Sequence, residues 1–307
     1  MSSILNTIST YFSGGETKKE ETVEVETDQL PPEDVVIQDC NNCSADCDDH
    51  QTYPSYLQFD TESSLLGSMS PYGRHLMIST AQCDWAERIE EDEGTLAAEL
   101  SAMIKANPMP WRTFITNTSH IPTHSTTVQC AMDIIILPDN IVVGNVTADD
   151  AQTIYDVFVK RPLPEGPLED VKEAFKSADL KELGVYPNPY ESMILICSHR
   201  KRDKRCGITA PILNREFDHV LRDLDVHDGE GGTTVLMVSH VGGHKFAGNV
   251  ICYIHKGQTG IWYGRVKSCH CRSIVEETIL NGKVIKDLYR GCMSNSFKES
   301  KCNRIKW

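Results

Sequence analysis

The chain has 307 residues, of which 40% are hydrophobic and 24% charged, a composition that can bury two cores of ordinary domain size. No apolar run approaches the ~20 residues that a membrane-spanning helix needs. A formal net charge of −14 argues against a general nucleic-acid binder. The sequence therefore predicts neither a membrane nor a nucleic-acid partner.

Most of the acidic excess lies in the first 50 residues, which hold 12 Asp or Glu against only Lys18 and Lys19. Residues 1–70 as a whole are polar and show little periodicity. Such a segment cannot bury enough apolar surface to offset the entropy of ordering it. The sequence predicts a largely disordered acidic arm over 1–70.

Twelve cysteines and eleven histidines are the most informative part of the composition. The N-terminus shows neither a secretory signal nor the Arg-rich, acid-poor character of a mitochondrial transit peptide. We therefore expect a cytoplasmic protein with reduced thiols. In that setting metal binding is favoured over disulfides.

The first block of regular structure begins near residue 73. Its elements in chain order are a strand over 75–80, a helix over 95–107 with an i, i+4, i+7, i+8 apolar stripe, a strand over 112–120, a hairpin centred on Pro138–Asn140, and a helix over 148–159. The stretch 161–189 has five prolines and predicts a linker containing one helix, EDVKEAFKSADLKEL.

The second block repeats this order. It has a strand over 192–199, a helix with Thr209 as N-cap and Pro211 in its first turn, a strand over 233–240, a hairpin around 257–260, and a partly helical end. The repeat predicts an α/β fold with two thioredoxin-like domains, at 71–160 and 190–307. The first is expected to be a degenerate copy: its His120 and His124 match His240 and His244, but no cysteine occupies the matching positions.

Two cysteines and two histidines of the second block are candidate metal ligands. Cys197 ends a predicted strand, and Cys206 directly precedes the helix, whose N-terminus favours a thiolate. His240 ends the neighbouring strand, and His244 follows after a Gly-Gly pair that suits a loop. The four residues should meet at one sheet edge. Two thiolates and two imidazoles suit tetrahedral zinc or a 2Fe–2S cluster, and unrelated core residues remain an alternative.

The motifs ICSHRKRDKRCGITAP and SHVGGHKFAGNV, followed by GIWYGRV, resemble those of the sucrase/ferredoxin-like family. The resemblance implies a thioredoxin-like ferredoxin whose 2Fe–2S cluster is bound by Cys197, Cys206, His240 and His244. The resemblance favours a 2Fe–2S cluster over a zinc ion as the group that these residues bind. The charge of two thiolates neutralises the +2 charge of the oxidised 2Fe–2S core. One added electron therefore gives the site a charge of only −1, so it is accepted more easily than at a site with four cysteine ligands.

The implied function is electron transfer or redox response in the cytosol, with proton-coupled redox at the histidine ligands. We expect an electron carrier or redox protein rather than a turnover enzyme, working with a reductase or acceptor that the sequence does not identify. One alternative is a zinc-stabilised interaction module linked to actin organisation or stress tolerance. Another is a thiol oxidoreductase that uses the N-terminal or C-terminal cysteines.

Features outside the four ligands are less specific. The basic loop over 200–205 is either a solvated loop or a docking patch for an acidic electron donor. In the family, the terminal tryptophan, here Trp307, implies recognition by the cytosolic iron–sulfur targeting machinery, although Lys306 stands where an acidic residue is usual. The remaining thiols have no assigned role: Cys40, Cys43, Cys47, Cys269, Cys271, Cys292 and Cys302.

Overall fold

The structure of the protein is a computed structural model. It describes residues 4–7, 22–25, 29–37, 50–125, 128–168 and 170–297, and for 4–7 and 22–25 the backbone alone. The predictions for five residues lie outside this part of the chain: Cys40, Cys43, Cys47, Cys302 and Trp307.

Strands dominate the described residues. They are β1 (Ile4–Thr7), β2 (Thr22–Val25), β3 (Val36–Ile37), β4 (Arg74–Ser79), β5 (Thr113–Thr118), β6 (Met132–Leu137), β7 (Ile141–Val146), β8 (Gly184–Pro187), β9 (Ser192–Cys197), β10 (Thr233–Val238), β11 (Val250–Ile254), β12 (Thr259–Tyr263), β13 (Val284–Ile285) and β14 (Tyr289–Cys292).

The α-helical segments are α1 (Leu96–Ala106), α2 (Ala151–Ile154), α3 (Val171–Ala174), α4 (Lys204–Asp223) and α5 (His270–Ser273). Two of them continue as π-helical turns, α2 through Tyr155–Val159 and α5 through Ile274–Leu280. The α/β class predicted from the sequence is confirmed.

Ten strands form one mixed sheet in the order β14-β12-β11-β9-β10-β5-β4-β6-β7-β8. Within it the strand order β10-β9-β11-β12 repeats as β5-β4-β6-β7. In each set the first two strands are parallel and the other pairings antiparallel. We call residues 74–159 the N-terminal half and residues 192–292 the C-terminal half. The boundaries at 160 and 190, and the thioredoxin-like nature of each half, stay predictions.

The two halves meet where β5 and β10 end. Thr118 pairs antiparallel with Val238, and the backbone N–H groups of Ser119 and Ser239 each donate across the junction at 2.9 Å. The two serine hydroxyls accept from the opposite backbone at 3.0 Å, one from Asn117 and one from Met237. The junction is therefore nearly two-fold symmetric, and it brings the ends of the two inner strands together.

Three hydrophobic clusters fill the interior. One lies between the C-terminal half and α4, and a second between the N-terminal half and α1 and α2. The third joins both halves, with Met77 and Leu137 from one and Leu195 and Trp262 from the other. The central strands β4 and β9 are buried along their whole length, as expected for inner strands covered on both faces.

The helix starts show which local signals were correct. Thr95 caps α1, as the predicted helix over 95–107 requires, by accepting from the Ala98 N–H. The predicted cap of α4 was wrong. The helix begins at Lys204, capped by Asp203 through the Arg205 N–H, and Pro211 lies inside it. The cap was hidden in a charged run whose other members are all basic, whereas Thr209 and Pro211 mimic a helix start.

Parts of the predicted arm and of the predicted linker pack against the two halves. Leu30, Leu65 and Leu66 of the arm are buried, and β3 pairs with β13 of the C-terminal half. The helix predicted within the linker reduces to the four residues of α3, and β8 adds an edge strand to the sheet beside β7. No helix among the described residues is long and apolar enough to span a membrane.

Candidate functional site

The site lies at the edge of the sheet where β9 and β10 end. Cys197 is the last residue of β9 and is paired with Val238, the last residue of β10. Because these strands are parallel, the segments that follow them leave the sheet at the same edge. This places His240 near Cys197, as the sequence predicted.

Cys206 returns to this edge from the first turn of α4 and is buried. The turn between the two cysteines is tight. A Cβ at Gly207 would lie 2.3 Å from the Arg200 Cβ, so only glycine fits after Cys206 without movement of the loop. The helix N-terminus adds a partial positive charge that stabilises a thiolate.

The Cys197 and Cys206 thiols share a hydrogen bond. A hydrogen bond from Cys206 lowers the pKa of Cys197 well below its usual value, helped by the His240 ring and the Val241 N–H and opposed by burial. The same shared hydrogen bond and burial raise the pKa of Cys206. Cys197 is therefore the thiol that ionises first, and the polar groups around it suit an anionic ligand.

A hydrogen bond from its backbone N–H group holds His240 in place. Its N–H donates to His199 Nδ1 at 3.1 Å, so the proton of the His199 ring is on Nε2, which donates to the Trp85 carbonyl at 3.2 Å. The Nδ1 of the His240 ring is buried and has no hydrogen-bond partner in the described part of the chain. A buried ring nitrogen without a partner is costly, and a metal ion is one group that would satisfy it.

His244 completes the set from the loop that follows. Its ring centroid lies 5.5 Å from that of His240, and the residue is exposed. The four predicted ligands thus lie in one region as two pairs, the cysteines in hydrogen-bond contact and the histidines ring to ring. Among the described residues, no group of three or more His, Cys, Asp or Glu side chains has the spacing of a single metal-ion site.

The N-terminal half has an equivalent position with different chemistry. Ser79 ends β4 paired with Thr118, where Cys197 ends β9 paired with Val238. The Ser79 hydroxyl lies 3.0 Å from His120 Nδ1, and Tyr190 lies 3.2 Å from Nε2, so both ring nitrogens have partners. Burial lowers the pKa of His120.

Two further differences separate the halves. The third residue of α1 is Ala98, where the third residue of α4 is Cys206. His124, the counterpart of His244, stacks on Tyr186 with ring centroids 3.9 Å apart. The cysteines of the N-terminal half, Cys83 and Cys130, are exposed. The N-terminal half therefore has the histidines without the thiols.

A loop of the N-terminal half supports the site. The Trp85 indole is buried, and the backbone carbonyl of Cys83 accepts from the Ser198 hydroxyl at 2.7 Å. Asp84 accepts from the Lys201 N–H at 3.1 Å. This loop therefore holds the segment after Cys197.

Sequence reasoning missed the segment 58–63, which crosses the outer side of the site. Asp60 pairs with Lys245, beside His244, at 3.0 Å and with Arg265 at 3.7 Å. The Gln58 carbonyl accepts from Arg205, beside Cys206, at 3.4 Å. No local pattern predicts these contacts, because they join residues almost 150 or more positions apart.

The basic loop is partly neutralised. Arg205 pairs with Asp203 at 2.8 Å and Arg202 approaches Glu87 at 3.9 Å, whereas Arg200 and Lys201 are exposed. A cavity of about 340 Å³ opens between Arg202 and the N-terminal half, lined by His240 and by residues of α1 and β5. The site is therefore approachable from solvent along its histidine side.

The remaining described thiols lie elsewhere. Cys252, Cys271 and Cys292 are buried in the core of the C-terminal half, and Cys269 is half-buried. The His50 ring lies 2.8 Å from the Glu216 carboxylate of α4.

Fold and site together define an α/β protein with paired cysteines and paired histidines at one sheet edge. The chain belongs to the Sucrase/ferredoxin-like family, whose sequence profile matches residues 65–291, and the resemblance inferred from its motifs is confirmed.

Its relatives include Actin patches distal protein 1 of Saccharomyces cerevisiae, 30% identical over 78% of this chain and 80% of the relative. Altered inheritance of mitochondria protein 32 of Debaryomyces hansenii is 29% identical over 80% of this chain and 92% of the relative. The protein of that name from Clavispora lusitaniae is 42% identical over 42% of this chain and 48% of the relative. No solved structure matches the chain.

Proposed function

We propose that the protein is a 2Fe–2S electron-transfer or redox-response protein of the cytosol, with Cys197, Cys206, His240 and His244 as the cluster ligands. The observation that carries the proposal is the buried Nδ1 of His240, which has no hydrogen-bond partner among the described residues and belongs to a ring that lowers the pKa of Cys197. In the N-terminal half, the corresponding Nδ1 lies 3.0 Å from the Ser79 hydroxyl. The difference supports a ligand role for His240 and a structural role for His120.

The arrangement in pairs supports a cluster with two irons. Where two histidines replace two cysteines at such a cluster, the cysteines bind one iron and the histidines bind the other. Cys197 with Cys206 and His240 with His244 form such pairs. When bound, a cluster of this kind would accept and release one electron.

The residues around the site fix the position and the ionisation of the proposed ligands. His199 fixes the backbone of His240 and, through Trp85, connects it to the N-terminal half. The Val241 N–H and the His240 ring favour the Cys197 thiolate. Because His244 is exposed, its ring is in contact with solvent protons, and proton coupling at the histidines is part of the proposal.

The redox partner is proposed to be an acidic reductase or acceptor that docks on the basic side of the site. Arg200 and Lys201 are exposed next to Arg202, which lines the cavity beside His240. Complementary charge speeds the encounter of redox partners. Recognition of Trp307 by the iron–sulfur targeting machinery is a further proposal from the sequence.

The test is the visible absorption spectrum and iron content of the full chain after anaerobic reconstitution. We expect a red-brown protein that bleaches on reduction, with the iron lost in Cys197→Ser and Cys206→Ser. Cys252→Ser is the matched control, because Cys252 is equally buried in the same half but lies outside the site. A colourless zinc protein, or equal spectra for all three variants, would contradict the proposal.

A further inference from the structure

Arg290, in the middle of β14, is a fully buried cation beneath the site. Its Nε donates to the Ser68 hydroxyl at 3.0 Å and Nη2 to the Ser68 carbonyl at 2.7 Å. Its Nη1 donates to the Asn249 side-chain oxygen at 2.9 Å and to the Gly242 carbonyl at 3.3 Å. All of these acceptors are neutral, so the positive charge of the guanidinium is hydrogen-bonded but not balanced.

A second arginine shows how the same chain balances a buried cation. Arg74 is also fully buried, and its Nε donates to the Asp139 carboxylate at 2.7 Å. Removing a charge from water costs several kcal/mol unless an opposite charge lies nearby. Within the described residues, Arg290 has no ion pair with a carboxylate, so its counter-charge has to come from another group.

The titratable groups of the site that act on Arg290 are the Cys197 and Cys206 thiols. Burial lowers the pKa of Arg290 to about 10, while the thiolate charges of Cys197 and Cys206 act in the opposite direction. The loop between the two histidines rests on the same guanidinium. Gly243 has a φ of 66°, and a Cβ there would lie 2.3 Å from Arg290 Nη2.

We propose that Arg290 is the fixed positive charge beneath the candidate cluster site and the positioning residue of the loop from His240 to His244. This inference rests on the proposed function. One electron from a one-electron donor makes the site more negative by one charge, with no bond of the protein broken. A fixed positive charge in a region of low dielectric favours that reduced state.

The first test compares the reduction potentials of Arg290→Met and Arg290→Lys in the reconstituted full chain. We expect Arg290→Met to lower the equilibrium constant for reduction at least tenfold, which is 59 mV for one electron. Arg290→Lys keeps the charge and should stay within twofold of the wild type. A wild-type potential in Arg290→Met would overturn the proposal.

A second pair of variants keeps Arg290 and its fold contacts. Ser68 accepts from Arg290 Nε at 3.0 Å and is half-buried. Ser68→Asp should neutralise the guanidinium in place and lower the equilibrium constant for reduction about tenfold. Ser68→Asn, of the same shape but neutral, should leave it unchanged. Equal potentials for the two variants would contradict the proposed electrostatic role.

A third measurement needs no cluster and separates this inference from the proposed function. In the apoprotein, amide hydrogen exchange measures whether Arg290 holds the loop from His240 to His244, because its Nη1 donates to the Gly242 carbonyl. We expect Arg290→Met to speed amide exchange in this loop at least tenfold. Unchanged exchange in Arg290→Met overturns the inference. Faster exchange in Arg290→Met, with no iron bound by the wild type, overturns only the proposed function.

Discussion

The two halves of the sheet carry a histidine at equivalent strand ends, but the residues beside each histidine differ. In the N-terminal half, Ser79 and Tyr190 occupy both ring nitrogens of His120. In the C-terminal half, Cys197 stands in place of the serine, and within the described residues the Nδ1 of His240 has no hydrogen-bond partner. The difference teaches that two halves can share their strand ends and their junction while the histidines at those ends have different hydrogen bonds.

The two halves also differ in how the charge of a buried arginine is balanced. Arg74 of the N-terminal half is paired with Asp139, whereas Arg290 of the C-terminal half has only neutral acceptors and nearby thiols. One arginine completes a structural ion pair. The other leaves a positive field at the site.

The largest effect is expected from exchanging the groups at the strand ends. Cys197→Ser should abolish iron binding, because it gives the C-terminal half the hydroxyl that the N-terminal half carries. The reverse change, Ser79→Cys, should add no iron, since Ala98 supplies no second thiolate. Iron per chain checks both, and a gain of iron in Ser79→Cys would contradict the comparison of the halves.

The next effect concerns the structural ion pair. Asp139→Asn leaves Arg74 buried without a counter-charge and should destabilise the protein by about 3–5 kcal/mol. Urea unfolding of the apoprotein measures this loss. The spectrum of the folded, reconstituted variant should stay that of the wild type. A shifted spectrum would mean that the Arg74–Asp139 pair acts on the site.

A pH effect is expected at the interface between the halves. His75 donates or accepts at both ring nitrogens, with Tyr253 and Thr116 each at 2.8 Å, and burial lowers its pKa to about 3. The unfolded histidine, with a pKa near 6.5, binds a proton first, so stability falls as the pH drops below about 6.5.

The loss at pH 5 should be about 2 kcal/mol relative to pH 8, from ~1.4 kcal/mol per unit. His75→Gln should remove this part of the pH dependence, although it lowers the stability at pH 8. The measurement is the urea unfolding free energy at both pH values. The same pH slope in His75→Gln and wild type would show that His75 does not titrate on unfolding.

The smallest effect is expected outside the site. Burial raises the pKa of Asp60, but hydrogen bonds from Ser63 and Lys245 outweigh it and hold the pKa below its ordinary value. The ionised Asp60 carboxylate, paired with Lys245, therefore stabilises the fold above pH ~4. This stabilisation is lost as the pH falls and the carboxyl is protonated. Because it is partly exposed, Asp60→Asn should cost under about 1 kcal/mol of unfolding free energy at pH 7. A loss of iron in this variant would show that segment 58–63 forms part of the site.

Much of the site was predictable because its parts are local. The apolar run before Cys197 predicts a buried strand that ends there, and the repeated order predicts that His240 ends its neighbour. The capping signal failed at α4, where Thr209 and Pro211 outweighed Asp203 inside a basic run. The error displaced the helix start but kept Cys206 at the correct edge.

Arg290 was not predictable from its surroundings in the sequence. It stands in a charged C-terminal stretch, and only the fold brings it to Ser68 and Gly242, 222 and 48 positions away. The partners of His120 were missed for the same reason, since Ser79 and Tyr190 reach it from different elements. Local patterns predict where a strand ends, whereas long-range contacts decide which polar groups remain unsatisfied there.

The most direct test is the iron and acid-labile sulfide content of the anaerobically reconstituted wild-type chain, measured with its visible spectrum before and after reduction. One cluster in the C-terminal half predicts about two irons and two sulfides per chain and a spectrum that bleaches on reduction. About four irons per chain would contradict the difference between the halves. A colourless protein without iron would contradict the cluster itself.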